Sequence, residues 1–182
     1  HSEGIIALEN ALSEIGDCYV VAPASEMSGA SHSLTLSRPL RIRQIDARHW
    51  TVDGTPTDCV TLAINQILPL EELPHICVSG INHGPNLGDD ATYSGTVAGA
   101  MEATILGVSG LAFSLVASRN HDFTESMKFA AEITQKAINE GIPPNTLLNI
   151  NIPKGEPRGI RITKQGLKDA RPVISEHIDP RG

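Results

Sequence analysis

Ile76-Cys77-Val78-Ser79-Gly80-Ile81-Asn82-His83-Gly84-Pro85-Asn86-Leu87-Gly88-Asp89-Asp90-Ala91-Thr92-Tyr93-Ser94-Gly95-Thr96 runs from a short apolar segment through a glycine-rich loop into the first turn of a small-residue helix. Residues 76–79 are a brief continuous apolar run, which suits a strand buried on both faces of a parallel sheet. Gly80, Gly84, Pro85 and Gly88 then interrupt any regular pattern. From about residue 94 to 106, Gly95, Ala98, Gly99 and Ala103 let a helix lie close to a sheet, at a conformational cost of up to ~1 kcal/mol for each internal glycine. Strand, loop and helix in that order form the repeating unit of a doubly wound α/β fold.

The same grammar extends in both directions. Ile5, Leu8, Leu12 and Ile15 recur at helical spacing before Gly16, which predicts an amphipathic helix over residues 2–16. Residues 18–22 are a second buried-strand run, closed by Pro23. Residues 38–52 alternate polar and apolar, turn near Asp46 and end at Asp53-Gly54, a hairpin signal. Thr55, Pro56 and Asp58 then mark the N-terminus of a helix with Val60, Ile64 and Ile67 inside and Pro69 at its end. Downstream, residues 111–115, 147–152 and 160–163 read as strands. A helix between them is opened by Asp122 and Glu125, with Phe129, Ile133 and Ala137 on its inner face.

The expected fold is α/β: one domain over residues 1–182, with a mostly parallel Rossmann-like sheet and a β-hairpin extension. Because a helix precedes the first strand, the alternation starts in its middle, and an earlier strand is expected to be missing.

Composition fits this class. Hydrophobic residues make up 40% of the chain but aromatics only 3%, so Val, Ile, Leu and Ala must fill the core. The 14 basic and 21 acidic residues leave a net charge of −7, with no basic cluster to follow a nucleic-acid backbone. No apolar run reaches the roughly 20 residues that cross a bilayer, so a soluble, cytoplasmic protein without membrane or nucleic-acid partners is expected. Cys18, Cys59 and Cys77 lie in apolar segments without metal or disulfide spacing and read as buried free thiols.

In open α/β sheets ligands bind beyond the carboxyl ends of the strands. Two loops qualify, residues 23–33 and residues 80–96. The second ends in Ser94-Gly95-Thr96 at a helix start, where free N–H groups and the helix dipole favour an anion such as phosphate. Neither residues 23–33 nor residues 82–96 contain a Lys or Arg, whereas Glu26, Asp89 and Asp90 add negative charge. A phosphate there calls for a divalent cation, and Ser28, Asn82, Asn86 and Asp89 offer the oxygen ligands that Mg²⁺ or Mn²⁺ accepts. Arg38, Arg171 and Arg181 are the rival source of positive charge. Taken alone, the same residues also suit simple turns and caps, or a nucleotide-binding module without turnover. A dinucleotide-binding fold is weaker, since no G-x-G-x-x-G opens a helix directly after a strand.

Residues 20–23 (Val-Val-Ala-Pro) with 28–35 (Ser-Gly-Ala-Ser-His-Ser-Leu-Thr), 54–60 (Gly-Thr-Pro-Thr-Asp-Cys-Val), 78–90, 93–97 and 148–153 resemble, in order, the conserved blocks of the SurE (stationary-phase survival) family. The resemblance implies a three-layer α/β/α sandwich and a 5′-nucleotidase that hydrolyses nucleoside 5′-monophosphates, with side activity on other phosphomonoesters. It further implies one Mg²⁺ or Mn²⁺ per subunit, held by Ser28 and Asn82 together with two aspartates of a first strand expected to be absent from this chain. Asn86, Ser94, Gly95 and Thr96 are then expected at the phosphate, and His32 beside substrate or water. The family's C-terminal extension is expected to be missing as well, and the assembly to be a homodimer or homotetramer.

Overall fold

The computed structural model describes residues 2–68, 73–117 and 122–167. Its elements are α1 (Glu3–Leu12), β1 (Val20–Pro23), β2 (Ile42–Gln44), β3 (His49–Val52), α2 (Pro56–Leu62), β4 (Cys77–His83), α3 (Asp90–Tyr93), α4 (Gly95–Ile105), β5 (Gly110–Val116), α5 (Thr124–Glu140) and β6 (Leu147–Pro153). A π-helical turn, Ala63–Ile67, extends α2.

The strands form two three-stranded sheets, ordered β1-β3-β2 and β4-β5-β6. The second is wholly parallel, as the apolar runs predict. Its central strand β5 is buried along nearly its whole length, and its side chains alternate between two helical layers. Leu111, Phe113 and Leu115 join Leu8 of α1 and Ala130 of α5 on one face. Ala112 meets Val97 and Ala100 of α4 on the other. Helices therefore cover both faces of this parallel sheet. Fully burying side chains such as Phe113 and Leu111, both at 0% exposure, contributes roughly 1.5–3 kcal/mol each.

The hairpin forms where the alternation places it, with β2 antiparallel to β3. It is more than an appendage, because β3 also runs parallel to β1 and completes that sheet. Trp50 of β3 is buried and stacks on Tyr19 at 6.3 Å between ring centroids. In β1 buried and half-buried residues alternate, so the strand is not enclosed on both faces as its apolar run suggests. Burial raises the Cys59 thiol to about 12, which fits an inert structural cysteine.

Two expectations need correction. Residues 160–163 form no strand, and residues 154–167 carry no regular structure. Along α5 the deepest residues are Ser126, Ala130 and Thr134, while Phe129, Ile133 and Ala137 pack only partly buried against the core. The Ser126 and Thr134 hydroxyls donate to helix carbonyls, Phe123 O at 3.0 Å and Ala130 O at 2.7 Å. Their polarity is thus satisfied locally, and small residues can face the sheet.

Candidate active site

Asn82 lies near the carboxyl end of β4, just past an irregularity in the pairing with β5 between Ser79 and Asn82. Gly80 makes that irregularity with φ +128°, and a Cβ there would strike the Phe113 carbonyl. Breaks of this kind re-aim the following side chain. The Asn82 amide nitrogen donates to the carbonyls of Gly84 (2.9 Å) and His83 (3.1 Å). Its orientation is thereby fixed, and Oδ1 faces the other way, 3.4 Å from the Thr96 hydroxyl. An oxygen held outward by its own amide nitrogen is a pre-set ligand for a hard cation.

Ser94 caps α4, accepting from the Val97 N–H at 3.2 Å, and its carbonyl accepts from Ala98. The N–H groups of Gly95 and Thr96 precede the first intrahelical bond and point out of the helix. Gly95 is required by crowding: a Cβ would lie 2.9 Å from Pro56 Cγ and 3.5 Å from the Met27 carbonyl. The start of α2 and the loop bearing Ser28 therefore both close on the first turn of α4. Asp89 does not cap α4; it stands at the head of the short α3, without a side-chain cap.

The Ser28 hydroxyl donates to Glu26 Oε1 at 2.8 Å. This puts a carboxylate beside the candidate ligand. Downstream the loop is tied in four places. Ser31 donates from its N–H to Tyr93 O (3.0 Å) and from its hydroxyl to Thr92 O (2.8 Å). His32 Nε2 lies 2.8 Å from Glu102 Oε2 of α4. The Ser33 carbonyl accepts from the Thr55 hydroxyl at 2.6 Å. Thr35 donates from both its N–H (2.9 Å) and its hydroxyl (2.6 Å) to Asp58.

Asp58 also closes the capping box of α2 with Thr55, as the sequence predicts, and is only 2% exposed. Burial pushes its carboxyl up, but the hydrogen bonds from Thr35 and Thr55 outweigh burial and leave it below the ordinary range.

Asn86 is held by its neighbours on three sides. Its N–H donates to Asn151 Oδ1 (2.8 Å) and its side-chain nitrogen to the buried Ser114 hydroxyl (2.7 Å). Its carbonyl accepts from Asn149 (2.9 Å) and Asn151 (3.2 Å). The backbone N–H and one hydrogen of the side-chain amide are thus engaged inside the protein, which leaves the second amide hydrogen and the side-chain oxygen for a ligand. Asn149, Asn151 and Ser114 were not anticipated, although the i,i+2 spacing of the two asparagines places both on one face of a strand.

The remaining candidates scatter. Arg38 pairs with Asp53 at 3.0 Å on the hairpin, and Arg171 and Arg181 lie outside the described residues, as does His177. His49 bridges Glu9 of α1 and Asp46 of the hairpin at 2.7 Å each. The Asp46 hydrogen bond, reinforced by Glu9, raises the His49 pKa above its ordinary value against the effect of burial. His83 stacks on Phe123 at 5.0 Å. Among the described residues no three His, Cys, Asp or Glu side chains gather where a metal could sit. Ser28 and Asn82 therefore fit a cation in kind, as neutral oxygen donors, and need further ligands to complete a shell. No helix of the described residues is long and apolar enough to cross a membrane.

The family model described as "Survival protein SurE" matches residues 1–172. The chain is 50% identical over 182 residues to a Myxococcus xanthus protein named 5′-nucleotidase SurE, covering all of this chain and 69% of that one. It is 49% identical over 185 residues to an Aquifex aeolicus protein of the same name, covering 100% and 73% respectively. The crystal structure of the SurE protein from Aquifex aeolicus superposes with a TM-score of 0.90 at 48% identity, over the whole chain and 74% of that structure.

Proposed function

The chain belongs to the SurE family, and from that premise we propose that it is a 5′-nucleotidase hydrolysing nucleoside 5′-monophosphates to nucleoside and phosphate, with broader action on phosphomonoesters. The relatives' shared name supports the reaction class. The single observation in this chain that carries the reading is the fixed Asn82 amide, its oxygen set against Thr96 at the open end of α4.

In this reading the N–H groups of Gly95 and Thr96, with the Thr96 hydroxyl, receive the phosphoryl oxygens, and the helix dipole favours their negative charge. Ser28 and Asn82 Oδ1 would hold a Mg²⁺ or Mn²⁺ ion, which would supply the positive charge that these loops lack in Lys and Arg and would lower the pKa of an attacking water. Asn86 shapes the loop between these groups and contributes its remaining side-chain oxygen. On the family resemblance alone we further place the enzyme in the cytoplasm as a homodimer or homotetramer.

Phosphate release from AMP, measured with Mn²⁺ and Mg²⁺ and again after EDTA, tests the proposal. Turnover is expected only with metal. Asn82→Ala and Ser28→Ala are each expected to lose more than the roughly 10–100-fold that loss of an outer-shell metal partner costs. Turnover that survives EDTA, or wild-type rates in Asn82→Ala, would overturn it.

A further inference from the structure

Glu102 lies about two turns into α4 and is 7% exposed, on a stretch otherwise buried through Val97, Ala98, Gly99, Ala100 and Ala103. A buried carboxylate costs several kcal/mol unless its oxygens find donors. Both oxygens find a polar partner, from different parts of the chain. The Thr61 hydroxyl of α2 lies 2.8 Å from Oε1 and 3.0 Å from the Thr57 carbonyl, so its one hydrogen is shared between two acceptors, and His32 Nε2 meets Oε2 at 2.8 Å. The side chain of His32 is 31% exposed and that of Glu102 only 9%, so the acid is the fixed member and the imidazole the one it holds.

A hydrogen bond from Nε2 to a carboxylate needs hydrogen on Nε2 and leaves the lone pair of the neutral ring on Nδ1, so the contact with Glu102 would select one tautomer as well as the ring plane. The other ties of this loop run to α3 through Ser31, to the cap of α2 through Ser33, and to Asp58 through Thr35. His32 makes the tie to α4, whose first turn supplies the amides of the site.

We propose that Glu102 is a positioning residue of this site: through His32 it sets the loop of residues 24–35 against α4, and thereby sets Ser28 against Asn82 and the amides of Gly95 and Thr96. The inference rests on the function proposed above, and it assigns Glu102 no contact with substrate.

The test uses Glu102→Gln, His32→Ala and His32→Gln in the intact protein. In the wild type, ¹⁵N spectra of the His32 ring are expected to show a single Nε2–H tautomer, and Glu102→Gln is expected to mix the two. Amide exchange across residues 26–33 is expected to rise in Glu102→Gln and His32→Ala. The Mn²⁺ concentration for half-maximal AMP hydrolysis should rise on the order of 10-fold, as for loss of an outer-shell partner. His32→Gln, whose side-chain nitrogen still donates to Glu102, should restore the Mn²⁺ dependence, a rescue that general loss of stability would not give. If Glu102→Gln fails to fold, His32→Ala at the more exposed end carries the comparison. Wild-type exchange and wild-type Mn²⁺ dependence in His32→Ala would overturn the role of Glu102. A wild-type protein that releases no phosphate would instead sink the proposed function, and the tautomer and exchange measurements, which need no turnover, would still decide Glu102.

Discussion

The two loops that meet at α4 are held by opposite kinds of chemistry. Residues 24–35 are anchored through buried acids, with Thr35 on Asp58 and His32 on Glu102. Residues 82–94 are anchored through neutral groups, with Asn86 tied to Asn151, Asn149 and Ser114, and Asn82 tied to backbone carbonyls. A buried carboxylate gives strong, charge-assisted hydrogen bonds and leaves a large penalty when it is removed or protonated. An amide network is weaker bond for bond and indifferent to pH. The loop with Ser28 should therefore be the conditional half of the proposed site, and the loop that follows Asn82 the permanent half.

The largest expected effect is on the acid-anchored side. Asp58→Ala removes half of a capping box and strands the N–H groups of Thr35 and Thr55, so it should cost about 3 kcal/mol in urea unfolding. A loss below about 1 kcal/mol would mean that the two anchoring schemes do not differ. On the neutral side, Ser114→Ala leaves the buried Asn86 amide nitrogen without its acceptor and should cost about 1–2 kcal/mol. Loosening should then appear in hydrogen exchange near Asn86, with residues 31–35 unaffected.

Acid should separate the loops without any mutation. The Asp58 carboxyl is depressed in the folded protein, so its contribution is complete above the unfolded value of about 3.9 and is lost as pH falls through the lower folded value. Exchange in residues 31–35 should rise over that window ahead of exchange in residues 84–87, and simultaneous loosening would erase the distinction. The smallest effect concerns the tie between α1 and the hairpin. The His49 pKa is raised in the fold, chiefly by its hydrogen bond to Asp46. Its stabilisation is complete below the unfolded value of about 6.5 and fades as pH rises through the folded one. Thermal melts from pH 5 to 9 should show that slope in the wild type and not in His49→Ala.

Much of this arrangement is legible in the chain, for physical reasons that differ by element. The central strand β5 announces itself because enclosure on both faces demands an unbroken apolar run, as in residues 111–115, whereas β1 and β4 carry such runs while remaining partly open. The hairpin is legible from its alternation, although that pattern does not reveal β3 pairing with β1. The capping box is legible because Thr55 and Asp58 are three residues apart. Residues 160–163 alternate as a strand would, but alternation cannot supply a neighbour to pair with, and none forms among the described residues. Glu102 stands out as an acid among small residues, yet its partner His32 is 70 positions away, beyond the reach of any spacing rule. The ties of Asn86 are hidden for a similar reason, since Ser114 and Asn151, which accept from it, lie 28 and 65 positions downstream.

Each of the two sheets draws on one continuous stretch of chain, residues 20–52 for β1-β3-β2 and residues 77–153 for β4-β5-β6. Either stretch can form its strand pairs before the other has found it, whereas the bonds from Ser31 and His32 to the far side span 61 and 70 positions. Such closures carry the greater loop entropy and are expected late in assembly. Activity is then expected only once the two pieces have docked, so a newly made chain should stay catalytically silent until that seam is sealed.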